Sequence, residues 1–369
     1  MTIQLLDLEG TAYQRGQKHG QELAKNVQSN IKTYRDRFMM GGASQERIDE
    51  EATAWADRLQ SHDAEYFEEM QGIADGSNTD IKDIALLNAR YEISYSLYTQ
   101  EAAAANDMPM HEPDGCTAFG ILPEYSANGH TLLGQNWDWL NGLLGNLCLL
   151  RQRSDEHPDH ILLTQAGIVS GMIGFNEHGI GLCVNGLSSK ADGKELHHRP
   201  FHMRVRDIMR SKTYFDALKV IFGTDRVCST NWLIGQKGGE ILDIESSPNV
   251  AHTLYPENGL ITHGNHFINR DGIETEYERI APCSLYRTPR LDRLIRQNSQ
   301  KWDIEHLKGC LKDRFGDPKA ICRYPNPEDP NAAKTVTVTG LIMDLDELTI
   351  ELTDGPPDQN EFVKYSLRG

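Results

Sequence analysis

The dipeptide Gly115–Cys116 is the part of the sequence whose residue types best suit nucleophilic catalysis. A cysteine stands at the first position of a strand-like pattern, directly after a glycine and at the end of a polar, acidic connector. Because glycine has no Cβ, it permits both a strained backbone and a close approach of the thiol. If the Cys116 thiol attacked the Gly115 carbonyl and the thioester were hydrolysed, the chain would split and Cys116 would become a new N-terminus.

Such a cleavage would let one residue supply both a nucleophile and a base. The freed α-amine of Cys116 would have a pKa near ~7.7–8.0, as in short peptides, and would lie within reach of its own thiol. This is the cysteine counterpart of the N-terminal threonine arrangement. The segment Asp114–Thr117 also suits a plain turn that enters a strand. On spacing alone, both interpretations stay open.

The other residues that could react or bind a metal form weaker patterns. The seven cysteines are an odd number with wide, irregular spacing and no CxxC pair, which argues against a disulfide framework or a structural zinc site. We expect most of them to be buried and reduced. His197, His198 and His202 match no strong metal-ligand spacing, so a polar turn that runs into a helix is favoured and no metal site is expected.

The elements that must position Cys116 change type at a connector, residues 99–115. Before it, apolar residues recur at three- and four-residue spacing, which predicts helices over Gly16–Phe38, Asp49–Ile73 and Asp80–Tyr98. The connector is alanine-rich, then polar, and contains two prolines. Residues 1–115 carry 21 acidic and 10 basic side chains, so most of the excess negative charge precedes the junction.

After Gly115 the pattern becomes mainly that of β-strands. The segments CTAFGILPE and HTLLGQNWDW predict a hairpin with its turn at residues 126–129. We expect further strands within 161–167, 171–187, 231–247 and 251–267, and a closing strand pair around 344–347. Helices are expected from Pro200 onward, over Leu285–Gln300 and over Asp303–Phe315. This order predicts an α+β layered sandwich rather than alternating βαβ units.

Composition and charge indicate the class of protein and exclude some partners. Hydrophobic residues make up 38% and charged residues 25%, which is typical of a globular chain. The net charge of −17 disfavours nucleic acid and anionic membranes as partners. No apolar run approaches the ~20 residues of a membrane span, and the start MTIQLLDLEG lacks the features of a secretory signal. We therefore expect a soluble, acidic, cytoplasmic globular protein.

Short blocks of sequence, in a fixed order over nearly the whole chain, indicate a family. They are GTAYQRGQKHG (10–20), YFEEMQGIADG (66–76), LNARYEISY (87–95), DGCTAFG (114–120), GQNWDW (134–139), GFNEHGIGLCVNGL (174–187), RPFHMRVR (199–206), THGNH (262–266) and AICR (320–323). In these blocks the chain resembles the acyl-coenzyme A:6-aminopenicillanic-acid acyltransferase (penicillin acyltransferase) family of autoproteolytic N-terminal-nucleophile hydrolases. The resemblance implies one domain with a four-layer αββα sandwich. It also implies a small chain, 1–115, and a large chain, 116–369.

The resemblance also implies roles for single residues. Gly115 and Cys116 match the self-cleavage junction, which makes Cys116 the catalytic nucleophile as well. The other matching positions are an oxyanion-hole asparagine (Asn265), a paired acid and base beside the nucleophile (Asp138 and Arg323), and a supporting serine near the site (Ser229). For Asn136 and Trp137 we favour a role in the pocket floor or core over direct substrate binding.

One departure from the family affects the expected substrate. Penicillin-forming members run almost directly from the LNARYEI-type helix to the junction, whereas roughly sixteen extra residues, 98–113, intervene here. This departure counts against a β-lactam substrate more than against the chemistry. The end YSLRG also lacks a peroxisomal SKL-type tripeptide, which supports the cytoplasmic expectation.

The function expected from the sequence is a self-cleaving cysteine amidohydrolase or acyltransferase. It would act on a linear N-acyl amide through an acyl-thioester on Cys116 and need no cofactor. After processing, the small chain would stay bound to the large chain as a heterodimer. One alternative is an acyl-CoA-dependent N-acyltransferase of the penicillin type, with acyl-CoA as the acyl donor. The other is a binding protein that retains the fold and never cleaves.

Overall fold

Two β-sheets stacked face to face, with helices on both outer sides, make up the structure. The computed structural model describes residues 2–94, 115–223, 226–275, 277–297, 301–330 and 334–368. The predicted connector, 99–115, therefore lies outside the described residues except for Gly115. Among the described residues, no helix is long and apolar enough to cross a lipid bilayer.

The chain before the junction forms one strand and a layer of helices. Their bounds are β1 Gln4–Leu8, α1 Ala12–Glu22, α2 Ala24–Met40, α3 Gln45–His62, α4 Ala64–Ser77 and α5 Ile81–Asn88. The helix predicted over Gly16–Phe38 is two helices, because Leu23 leaves the helical conformation with φ −120° and ψ 24°. The helix predicted over Asp49–Ile73 breaks at Asp63, whose side chain accepts a hydrogen bond from the Tyr66 amide and so begins α4.

The third predicted helix, Asp80–Tyr98, is also interrupted. Asp80 caps α5 by accepting a hydrogen bond from the Lys82 amide, and α5 ends at Asn88. The helical conformation resumes at residues 90–94. The remainder of that prediction lies outside the described residues.

The chain after the junction supplies most of both sheets. Its described strands are β2 Thr117–Ile121, β3 Leu132–Leu140, β4 Leu147–Gln152, β5 His160–Gln165, β6 Ile173–Asn176, β7 Ile180–Gly186, β8 Thr230–Gln236, β9 Glu240–Ser246, β10 Ala251–Leu254, β11 Leu260–His263, β12 Thr335–Asp344, β13 Thr349–Leu352 and β14 Val363–Ser366. Its described helices are α6 Phe201–Met209, α7 Tyr214–Phe222, α8 Tyr277–Ile280, α9 Cys283–Arg296 and α10 Ile304–Leu311. The predicted hairpin is confirmed, since β2 and β3 pair antiparallel.

The strands form a six-stranded and an eight-stranded sheet. The six-stranded sheet has the order β11-β2-β3-β12-β13-β14, and the eight-stranded sheet has the order β1-β4-β5-β6-β7-β8-β9-β10. The edge strand β1 pairs in parallel with β4. Neither β1 nor β4 was predicted from the sequence pattern. The segment before the junction thus contributes an edge strand to a sheet built from the segment after it.

Helices cover the outer face of each sheet. On the six-stranded sheet, Leu291 and Ile295 of α9 and Leu307 of α10 pack in one apolar cluster with Phe119 and Ile121 of β2. On the eight-stranded sheet, helices from before the junction and α6–α7 share a second, larger cluster with the strands. The layers therefore follow the order helix, sheet, sheet, helix, which confirms the predicted α+β, four-layer αββα sandwich.

Candidate active site

Cys116 lies directly before β2, which runs between β11 and β3 in the six-stranded sheet. Side chains alternate along a strand, so Cys116 shares the face of Ala118 and Gly120. That face is turned to the other sheet, because a Cβ added at Gly120 would lie 3.1 Å from Ile241 of β9. Cys116 is fully buried. The thiol therefore belongs to the space between the two sheets.

Gly115 lies against the buried pair formed by Asp138 of β3 and Arg323. Its amide donates to the Asp138 carbonyl at 3.4 Å, and a Cβ at position 115 would lie 2.6 Å from Arg323 Cζ. Arg323 Nε is 3.4 Å from Asp138 Oδ2, and both side chains are fully buried. The structure thus places the two residues that matched an acid–base pair together, beside the predicted junction.

The Asp138–Arg323 pair is fixed by hydroxyl groups of β12. Thr337 Oγ1 donates to Asp138 Oδ1 at 2.6 Å and accepts from the Arg323 amide at 2.7 Å. Arg323 Nη1 donates to Thr335 Oγ1 at 3.1 Å. Because these bonds hold both charges in one geometry, removal of either partner would leave the other charge buried and unpaired.

Asn265 follows β11 and reaches the space next to β7. Its amide donates to Ser284 Oγ at 2.7 Å, which fixes the backbone. Its side-chain Nδ2 donates to the Gly186 carbonyl at 3.1 Å, and its Oδ1 accepts from Arg287 Nη2 at 2.9 Å. Asn265 is fully buried and shares Arg287 as a contact with the junction.

Arg287 of α9, which was not predicted from the sequence, makes the densest set of contacts with the junction. Its Nη1 donates to the Gly115 carbonyl at 2.6 Å, the Cys116 carbonyl at 2.7 Å and Thr117 Oγ1 at 2.5 Å. A signal was available: position 287 is one and two turns before Leu291 and Ile295, so helical spacing places an arginine on the buried face of α9.

A polar group on the eight-stranded sheet lies opposite the six-stranded sheet. Asn185 of β7 is in register with Asn231 of β8, and Asn231 Nδ2 donates to Asp243 Oδ1 of β9 at 2.6 Å. Asn231 shares a strand face with Gly235, whose added Cβ would meet Leu345 at 3.0 Å. Among the described residues, three buried atoms of this group have no hydrogen-bond partner, namely Asn185 Nδ2, Asn231 Oδ1 and Asp243 Oδ2.

A buried ion pair connects the two sheets near this polar group. His263 Nε2 of β11 lies 2.8 Å from Glu245 Oε1 of β9. Burial alone would lower the pKa of His263, but the carboxylates of Asp243 and Glu245 raise that pKa to about 9. Burial raises the pKa of Asp243 to about 6, against the opposing effects of His263 and the Asn231 hydrogen bond. The histidine is therefore a cation at neutral pH, held between two acidic groups.

Ser229 contacts a loop rather than the junction. Its Oγ donates to Asp192 Oδ1 at 2.7 Å and to Ser189 Oγ at 3.0 Å. Burial raises the pKa of Asp192 to about 7, although hydrogen bonds from Ser189 and Ser229 oppose that shift. The structure therefore does not bring Ser229 into the set of contacts that joins Cys116, Asn265 and Arg287.

Asn136 and Trp137 lie on opposite faces of β3. Asn136 Nδ2 donates to the carbonyls of Leu311 and Ile321 at 2.8 and 2.9 Å, so it links the sheet to the end of α10. Trp137 is fully buried in the larger apolar cluster, together with Cys116. These contacts suit the favoured interpretation of both residues as core and pocket-floor residues.

A family model for acyl-coenzyme A:6-aminopenicillanic acid acyl-transferases matches residues 126–359, which is more than half of the chain. The chain belongs to this acyltransferase family. The family that the sequence blocks resembled is thus confirmed.

Relatives of this acyltransferase family member come from distant organisms. The chain is 27% identical to the acyl-coenzyme A:6-aminopenicillanic-acid-acyltransferase 40 kDa form of Emericella nidulans over 259 residues, which cover 70% of this chain and 67% of that protein. An uncharacterized protein of Archaeoglobus fulgidus is 21% identical over 94% of this chain and 62% of its own length. Protein dcd1A of Dictyostelium discoideum is 24% identical, over 62% of this chain and 54% of its own length.

Solved structures similar to this acyltransferase family member include an acid amidase, a bile acid hydrolase and an acylase. An N-acylethanolamine-hydrolyzing acid amidase ortholog from Caenorhabditis elegans has a TM-score of 0.46 and 15% identity, over 63% of this chain and 93% of that one. A mutant conjugated bile acid hydrolase from Clostridium perfringens has a TM-score of 0.45 and 12% identity, over 68% of this chain and 96% of that one. Penicillin V acylase from Agrobacterium tumefaciens has a TM-score of 0.40 and 14% identity, over 64% of this chain and 82% of that one.

Proposed function

We propose that this chain is a self-cleaving cysteine amidase or acyltransferase whose nucleophile is Cys116. The observation that carries the proposal is the enclosure of the Gly115–Cys116 peptide by three buried charged groups. Arg287 contacts its carbonyl oxygen, Arg323 lies against the Gly115 Cα, and Asp138 pairs with Arg323. Buried charges are costly and cluster at functional sites, so three of them around one peptide bond suit a reaction at that bond.

Cleavage would provide the base for the later reaction. Once the Gly115–Cys116 bond is hydrolysed, the α-amine of Cys116 is free at the start of β2, next to its own thiol. The Asp138–Arg323 pair lies beside that position and would orient the amine. The products would be the small chain, 1–115, and the large chain, 116–369, held together as a heterodimer.

The processed site would form an acyl-thioester from a linear N-acyl amide. The thiolate attacks the amide carbonyl, the amine leaves with a proton, and water or a second amine then releases the acyl group. Two side-chain amides are candidate donors to the oxyanion: Asn265, whose Nδ2 contacts the carbonyl of Gly186 at the end of β7, and Asn185 of β7, whose buried Nδ2 has no hydrogen-bond partner among the described residues. Each such donor to a tetrahedral oxyanion contributes about 2.7–4 kcal/mol in comparable sites.

Acyl transfer to an amine is the second candidate function. The Emericella relative carries the name of an acyl-CoA:6-aminopenicillanic-acid acyltransferase, so acyl-CoA is the alternative donor and a small amine the acceptor. Transfer would dominate over hydrolysis if the amine reaches the thioester before water does. We also propose a cytoplasmic location, because an odd number of cysteines with wide, irregular spacing does not suit the disulfide framework of a secreted protein.

The deciding experiment is an intact-mass measurement on purified full-length protein. The native chain should give two masses, with the second chain beginning at Cys116, and Cys116→Ala should give one mass of 41.6 kDa. Cys310→Ala is the matched control, because Cys310 is the other cysteine that follows a glycine, and it should still give two masses. Cleavage that persists in Cys116→Ala would implicate another protease and contradict the proposal.

Assays with N-acyl amides and acyl-CoA donors separate the two activities. The processed protein should gain the mass of one acyl group on Cys116 with at least one donor, and added amine should then divert product from the free acid to the amide. A protein that remains one unbroken chain and binds these compounds without turnover would support the alternative of a binding protein.

A further inference from the structure

Arg287 is a buried cation without a carboxylate partner in the part of the chain that the structure describes. Its side chain has no solvent exposure. Among the described residues, no carboxylate lies within ion-pair distance of it, and its Nε has no hydrogen-bond partner. Burial of an ionised group without a counter-charge is strongly unfavourable unless the group has a special partner. Three of its contacts are oxygens at residues 115–117, including the Gly115 carbonyl at 2.6 Å.

We propose that Arg287 binds the oxyanion that forms on the Gly115 carbonyl oxygen during self-cleavage, which rests on the proposed function above. The Cys116 sulfur attacks the Gly115 carbonyl carbon and closes a five-membered ring, and the carbonyl electron pair moves to the oxygen. When the intermediate collapses, the carbon–nitrogen bond breaks and the thiol proton ends on the new α-amine. Water then hydrolyses the thioester to the Gly115 carboxylic acid and regenerates the thiol.

The other two candidate donors point elsewhere in the uncleaved chain. Asn265 turns its Oδ1 to Arg287 and donates its Nδ2 to the Gly186 carbonyl. Arg323 has Asp138 as a counter-ion at 3.4 Å and lies against the Cα of Gly115 rather than the carbonyl oxygen. Of these three side chains, Arg287 is therefore the one placed at the Gly115 carbonyl oxygen before the self-cleavage begins. A positive charge already within 2.6 Å of the carbonyl oxygen needs no reorganisation when negative charge develops there.

The test compares three full-length variants in a synthesis reaction with a defined start, with the uncleaved fraction followed by intact mass. Arg287→Gln should cleave at least ~100-fold more slowly, the effect of losing one oxyanion donor in comparable sites. Arg287→Lys retains the charge, so its cleavage rate should lie between those of Arg287→Gln and the native chain. Arg290→Gln is the matched control one turn of α9 away; Arg290 binds Asp313 at 2.6 Å, so this variant should cleave at the native rate.

Each outcome decides the inference. If folded Arg287→Gln cleaves at the native rate, Arg287 is not the oxyanion ligand. If Arg287→Gln does not fold, Arg287→Lys decides: slowing by at least ~10-fold in a folded protein supports the assignment, and the native rate overturns it. Slowing of Arg290→Gln to the same degree would attribute the effect to α9 as a whole and also overturn it. If the native chain itself never splits, the proposed function fails instead.

Discussion

Two cysteines of this chain follow a glycine, and only their surroundings distinguish them. Gly115–Cys116 enters β2, whereas Gly309–Cys310 lies inside α10. A Cβ at Gly309 would meet no atom within 4 Å, whereas a Cβ at Gly115 would lie 2.6 Å from Arg323 Cζ and 2.8 Å from its Nη1. Gly115 therefore lets a guanidinium contact the backbone directly at the proposed scissile bond.

Gly115→Ala is expected to slow self-cleavage by at least ~10-fold. The added methyl group cannot occupy the place of the Arg323 guanidinium, so the arginine and the peptide must shift, and a shift of about 1 Å can cost 10²-fold in rate. Gly309→Ala should cleave at the native rate and gain ~0.5–1 kcal/mol of stability, because alanine favours a helix interior over glycine. The uncleaved fraction against time measures both. Native-rate cleavage by Gly115→Ala would show that the contact with Arg323 does not matter.

At the scale of elements, four glycines explain why α1 and α4 pack so closely. They alternate across the contact, with Gly16 and Gly20 on α1 and Gly72 and Gly76 on α4. A Cβ at Gly16 would lie 1.9 Å from the Glu69 carbonyl oxygen, and one at Gly72 would lie 2.3 Å from the Tyr13 carbonyl oxygen. The sequence blocks at 10–20 and 66–76 are thus the two sides of one backbone-to-backbone contact.

Gly20→Ala is expected to destabilise the protein by about 1–3 kcal/mol, the range for an overpacked core. Its added Cβ would lie 2.3 Å from the Ile73 carbonyl oxygen, so the two helices must separate. Urea unfolding of the Cys116→Ala chain, with and without Gly20→Ala, measures the change on a single uncleaved species. Gly309→Ala in the same background should be stabilised, since open space surrounds that position. Equal stability of the Gly20→Ala chain and its parent would contradict the packing argument.

The hairpins and most helices could be predicted from local signals, but the edges of the fold could not. Turn residues and alternation gave the β2–β3 pair, and three- and four-residue spacing gave the helices around Leu23 and Asp63. The spacing did not reveal the breaks at these two residues, because the apolar period continues across them. Strand β1 was not predicted, because its pairing partner is β4, which lies more than one hundred residues away in the chain.

In the candidate site, too, some residues could be predicted from local sequence and one could not. Cys116, Gly115, Asn265, Asp138 and Arg323 were found through short sequence blocks. The structure places Asp138 and Arg323 beside the Gly115–Cys116 peptide and connects Asn265 to it through Arg287. The approach of Arg287 to the Gly115 carbonyl depends on how α9 lies across β2, which no local pattern contains.

At the scale of the whole molecule, the junction divides a single core. Strand β1 pairs with β4 in register from Gln4↔Cys148 to Leu8↔Gln152, and Asn30 Nδ2 of α2 donates to the Ala166 carbonyl at 2.9 Å. Residues from both sides of position 115 share the larger apolar cluster. Cleavage of one peptide bond would therefore leave backbone pairing and apolar contacts between the two chains intact.

A charged contact adds a pH-dependent part to this association. Glu65 of α4 lies 2.8 Å from both Arg206 of α6 and Arg210, across the proposed division between the chains. Partial burial would raise the pKa of Glu65, but the hydrogen bond from Arg210 and the charge of Arg206 lower that pKa to about 2. A lowered carboxyl pKa stabilises the complex fully above its ordinary value, near ~4.3, and the stabilisation is lost as the pH falls toward 2.

The processed chains are expected to co-elute as one complex at neutral pH, and to separate in less urea when Glu65 is replaced. Glu65 is 41% exposed, so solvent weakens its ion pairs and Glu65→Gln should cost about 0.5–1 kcal/mol at pH 7. The urea midpoints of the native and Glu65→Gln complexes should approach each other as the pH falls from about 4.5 toward 2. At that pH the native carboxylate becomes neutral as well. Glu68→Gln, an exposed position beyond the first turn of α4, is the control and should leave the urea midpoint unchanged. If the two urea midpoints instead differ by the same amount down to pH 2, the charge at position 65 does not hold the chains together.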